Sequence, residues 1–144
     1  MKPTPELILN QTFAKIAMEM GPALPAGYGQ GSATICGVLL LMVAQEFNRA
    51  ADIRAKENAA MRALFADTAA RIGGDLGQRL GAAAATKDTD INVATLDRAN
   101  GELKALLIET QDWAERAGDR ALELRILKFL SDAASARQVF LPAM

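Results

Sequence analysis

A chain of 144 residues, 51% of them apolar, is long enough for one ordinary hydrophobic core and too apolar for a disordered polypeptide. Its 16 basic and 17 acidic residues leave a formal charge of -1, so it lacks the single-sign field that a nucleic-acid or anionic-membrane binder needs. Histidine is absent, which excludes Ser/His/Asp and Cys/His nucleophilic catalysis, imidazole-ligated zinc or haem, and Glu-x-x-His di-iron centres.

Alanine supplies about a fifth of the residues, and no run of β-branched residues alternates with polar ones as a half-buried strand requires. The expectation is an all-α fold: a four- to five-helix bundle built around one long central helix, with residues 1–144 forming a single domain. Helices are expected at about 5–20, 32–72, 75–85, 90–117 and 119–141.

Thr4-Pro5-Glu6 opens the first helix with a capping hydroxyl, a proline where its missing N–H is harmless, and a carboxylate at the positive helix end. Gly21-Pro22 is expected to close it near Met20, and Ala23 to Gly31 reads as a glycine- and proline-rich linker. Ser32 then reads as the cap of a rod running to Ile72. That rod's first third, including Ile35, Val38, Leu39, Leu41, Met42, Val43 and Phe47, is apolar nearly all round and needs cover on most sides. Its greasiest stretch, Ala33 to Ala44, is shorter than the ~20 residues of a bilayer span, so a buried helix is expected there and no membrane span. Cys36, the sole cysteine, is expected to be a buried thiol.

Further along, Ala50, Ile53, Met61, Leu64, Phe65, Thr68 and Ile72 form an inner stripe, and Gly73-Gly74 invites a break before a short helix. Thr86 to Asp90 is a polar turn. Leu96, Ala99, Leu103, Leu106, Leu107, Thr110, Trp113, Ala114 and Ala117 recur at helical spacing along the next helix, and Gly118-Asp119 reads as a C-cap followed by a new N-cap. The last helix is expected to bury Leu122, Ile126, Leu127, Phe129, Leu130 and Phe140 until Pro142 stops it.

Four features could carry function. Tyr28, Gly29, Gly31 and Ser32 lie in a glycine-rich stretch that could present amides to an anion, although neither dinucleotide nor P-loop spacing is present. Glu102, Glu109, Asp112 and Glu115, with Glu46 and Glu57 on the long helix, are carboxylates of the kind that bind magnesium or manganese in helical bundles, Glu109 and Asp112 forming an i, i+3 pair, but the Glu-Glu-x-x-Glu cluster of all-α nucleotide pyrophosphatases is missing. Met18, Met20, Met42 and Met61, with Phe47 and Phe65, could line a cavity for an apolar ligand. Glu46 lies among apolar neighbours, either on an exposed strip with Gln45 and Arg49 or buried and paired.

The leading expectation is a cytoplasmic, non-enzymatic helical protein that acts by associating with itself, as a homodimer, or with a partner protein. It needs no cofactor and binds no nucleic acid. The alternatives are a binder of a small apolar or anionic ligand, and a carboxylate-metal enzyme acting on a phosphorylated substrate.

Overall fold

The computed structural model describes residues 2–140, and every regular element among them is a helix. Among the described residues the chain divides into two compact units, 2–50 with 139–140, and 51–138.

In the first unit, α1 (Pro5–Phe13) starts as its sequence dictates, with the Leu7 amide donating to the Thr4 hydroxyl at 3.3 Å. The chain then winds as a π-helix over Ala14–Met20, where the Gly21 amide reaches back five residues to the Ile16 carbonyl, and finishes in a last α turn, α2 (Gly21–Ala23). Gly21-Pro22 therefore ends this helix one turn later than expected. Pro22 lies in that last turn, directly after Gly21.

Helix α3 (Tyr28–Phe47) begins four residues before Ser32. Gly27 makes this possible: its φ of 144° is a conformation that only glycine adopts readily, and its carbonyl accepts from the Gly31 amide at 3.2 Å. Most of the expected linker is therefore helix, and Ser32 is not its cap. Helices α1 and α3 run antiparallel, since the Asn48 amide group donates to the Glu6 carboxylate at one end while Gly37 meets Ala17 midway. Approach there is so close that a Cβ on Gly37 would sit 2.6 Å from that of Ala17.

The single long helix expected over 32–72 is broken after Phe47, and α4 (Ala50–Ile72) starts afresh. In a continuous helix the Gln45 carbonyl would receive the Arg49 amide. Here it receives the Arg49 Nε at 3.0 Å instead, while the Arg49 amide turns to the Glu46 carbonyl at 3.0 Å. Near this point the Gln45 side chain clamps the backbone of Phe140, donating to its carbonyl at 2.6 Å and accepting from its amide at 3.0 Å.

The second unit contains most of α4, α5 (Gly74–Ala84), α6 (Val93–Ala117) and α7 (Arg120–Ala136). Gly73 and Gly74, with φ of 65° and 58°, make the sharp exit from α4. Asn92 caps α6 through the Ala94 amide at 2.9 Å, and left-handed Gly118 and the Asp119 carboxylate end α6 and start α7 as expected. Met61, Leu64 and Phe65 of α4, Leu80 of α5, Leu103 and Leu107 of α6, and Leu122 and Ile126 of α7 make one apolar core. Helix α7 ends at Ala136, short of the expected 141, because the Arg137 and Gln138 amides bond to carbonyls three residues back while the Arg137 side chain turns inward to Glu57. Leu127, Leu130 and Phe140 are exposed, not core, and Pro142 lies outside the described residues.

Candidate functional site

A buried polar cluster crosses the second unit. Glu57 of α4 is only 5% exposed, yet it accepts from Arg137 Nε and Nη2 at 2.8 and 2.9 Å and from Asn100 Nδ2 at 3.0 Å, with Lys104 Nζ 3.3 Å away. Asn100 Nδ2 also donates to Asn58 Oδ1 at 2.9 Å. Asn58 in turn donates to the Leu96 carbonyl at 3.2 Å and to Asp88 at 3.1 Å, and Arg62 Nη2 holds Asp88 from the other side at 2.8 Å. Among the described residues no buried side-chain nitrogen or oxygen is left without a partner.

Burial alone pushes the Glu57 carboxyl up. The Arg137 and Asn100 hydrogen bonds and the charges of Lys104 and Arg137 outweigh it and hold the pKa down to about 2 from its ordinary 4.5. A carboxylate held so acidic is a poor general base or acid near neutrality, so this cluster works as a clasp joining α4, α6 and the end of α7.

The acid response follows with a definite sign. Because the folded value lies below the unfolded one, the Glu57 contribution is complete above about pH 4.5 and is lost as pH falls toward 2. The loss expected is about 2 to 3 kcal/mol. Urea unfolding at pH 6 and at pH 3 checks this: wild type should lose that much more between the two conditions than Glu57→Gln.

The residues singled out from sequence are placed as follows. Tyr28, Gly29, Gly31 and Ser32 lie within the first turns of α3, where the Gly31 amide is committed to the helix and the Tyr28 side chain is 93% exposed. Glu109 takes both terminal nitrogens of Arg79, which hold its carboxyl below the usual range, and Asp112 pairs with Arg116 at 2.9 Å. Among the described residues no group of three or more cysteine and carboxylate side chains is placed to hold a metal ion. Met61 and Phe65 are core, whereas Met18, Met20, Met42 and Phe47 are exposed, so this set lines no common cavity. Glu46 is half-buried, between its two expected states.

Sequence reasoning missed Asn58 and Asn100. Each takes one position in an otherwise apolar stripe, and two asparagines at core positions of helices that pack together were the available signal.

The other notable feature is the outer face of α3. Gly37, Leu41 and Ala44 turn toward α1 and the π-helical segment, leaving Ile35, Leu39, Met42 and Val43 on the opposite side and Phe47 on the flank. Ile35, Leu39 and Phe47 are 63%, 54% and 55% exposed. Cys36 edges the same face and is exposed, not buried, because Gly37 and not Cys36 meets Ala17. No Asp, Glu, Lys or Arg falls between Glu19 and Glu46. Ser32, Ile35, Leu39, Met42 and Glu46 follow one another at alternating steps of three and four, the spacing of a helix-pairing seam.

Among the described residues, one helix, Tyr28–Phe47, is long and apolar enough to cross a membrane. The chain matches no known family model, no characterised protein and no solved structure.

Proposed function

We propose that this protein is a helical self-association module whose working surface is the outer face of α3, met by the same face of a second copy. One observation carries the reading: an apolar stripe at seam spacing, Ile35, Leu39 and Met42, with its only charge at the Glu46 end, stands in solvent on the side of α3 opposite α1. Water-exposed stripes of this extent mark interaction surfaces. The centre of this stripe carries no charge, so two copies meet there without like-charge repulsion, and permanent homodimer interfaces are the most apolar class.

A second copy fits better than a bilayer. The antiparallel register that sets Ala17 beside Gly37 puts Lys15 and Glu19 level with the middle of α3, and both are largely exposed. Immersing the hairpin would carry both charges to membrane depth, at a cost of about 2.5 to 3.5 kcal/mol each. A second helix laid along the stripe leaves them in water.

Light scattering of the full chain with Ile35→Glu and Leu39→Glu combined tests the reading. Wild type should be dimeric at micromolar concentration, and the double variant monomeric with unchanged helical dichroism. A wild-type monomer at all concentrations contradicts the proposal, as does a variant that remains dimeric. Wild type that partitions onto neutral lipid vesicles instead of dimerising assigns the face to a bilayer and also overturns it.

A further inference from the structure

Between α5 and α6 of the second unit lies a half-open cleft of about 340 Å³, independent of the association surface on α3. It exists because the two helices meet there through small residues: Ala82 and Ala83 from α5 and Ala99 from α6 line it, with Leu103 and Leu106 as apolar wall. One side is polar. Arg62 lines the cleft with its side chain only 12% exposed, fixed by its Nε bond to the Thr86 hydroxyl at 3.0 Å and its Nη2 bond to Asp88 at 2.8 Å. Its Nη1 has no partner among the described residues, and Lys87, next to Thr86, adds a second cation to the lining.

We propose that this cleft binds a small monocarboxylate with a compact apolar body. A guanidinium held in place and largely withdrawn from water is a ready partner for a carboxylate, because no side-chain ordering remains to be done when the ligand arrives. The alanine and leucine walls take the hydrocarbon part, in the usual manner of pockets that combine an apolar lining with a few placed polar groups. Glu102 also lines the cleft, and its charge disfavours a dianion such as a phosphomonoester. At about 30 Å³ per water-sized element, the volume suits a ligand of roughly a dozen non-hydrogen atoms. Asp88, in the loop between α5 and α6, accepts from both Arg62 and Asn58, so the polar cluster also orients Arg62 at the cleft.

The test is a chemical-shift titration of the full chain with hexanoate and phenylacetate, beside hexanamide, phenylacetamide and inorganic phosphate. The carboxylates should bind saturably with shifts centred on Thr86, Lys87 and Ala99, while the amides and phosphate bind at least about tenfold more weakly. Ala82→Leu, at an exposed position, and Ala99→Leu should each fill the space and weaken hexanoate at least about tenfold, whereas Arg125→Gln on α7 should change nothing. Three results overturn the proposal: no saturation by about 20 mM carboxylate, equal binding of acid and amide, or hexanoate binding untouched by both alanine substitutions.

Discussion

Gly37→Val should destabilise the α1–α3 hairpin by about 3 kcal/mol or more, near the top of the range for overpacking. A Cβ at this position meets the Ala17 Cβ at 2.6 Å and the Ala17 backbone at 3.3 Å, and backbone cannot move aside as a flexible side-chain tip can. Exposed small positions give the contrast: Gly29→Ala and Gly31→Ala, with nothing within 4 Å of the added methyl, should be neutral or slightly stabilising. The measurement is the denaturant midpoint of the full chain. A reciprocal exchange sharpens it, since Gly37→Ala combined with Ala17→Gly should recover part of what Gly37→Ala alone loses. No recovery would mean that the close approach of these two residues is not what makes the position sensitive.

Asn100→Ala should cost about 2 to 4 kcal/mol. Asn100 Nδ2 serves two acceptors, Glu57 Oε2 and Asn58 Oδ1, and truncation leaves the second of these buried and unpaired. Asn100→Asp should be worse, because it sets a carboxylate against Glu57 where a donor stood. Ala105→Ser, exposed on the same helix, should stay within about 0.5 kcal/mol of wild type. Thermal and urea unfolding both read these differences.

The architecture was legible in the sequence where local rules act alone. The Thr4-Pro5 start, the Gly73-Gly74 break and the Gly118-Asp119 stop each follow from the chemistry of one or two residues, and each stands where the pattern places it. The apolar stripes of α4 and α6 were readable for the same reason: periodicity is a property of the segment itself.

Errors came where tertiary contacts decide. The break after Phe47 depends on Arg49 Nε taking the Gln45 carbonyl and on Asn48 reaching Glu6 of α1, a residue 42 positions away. Helix α7 stops early because Arg137 finds Glu57, 80 positions away. Helix α3 starts early because Gly27 reaches a backbone conformation whose use a list of glycines does not reveal. Periodicity also could not tell which side of an all-round apolar helix is covered. Gly37 decided it, by turning its missing side chain toward Ala17 and sending Ile35, Leu39 and Val43 outward. The polar clasp was hidden for a related reason, since Glu57, Asn100 and Arg137 acquire meaning only once three helices bring them within 3 Å.

Cys36 gives direct access to pairing through α3, because it is the sole cysteine and edges the exposed stripe of that helix. A nitroxide attached there reports only distances between copies of the chain. With paired helices about 8 to 10 Å apart, the proposed interface predicts a dipolar distance shorter than about 35 Å that vanishes in the Ile35→Glu, Leu39→Glu variant. If wild type shows no intermolecular distance that short, the outer face of α3 does not pair with its own copy.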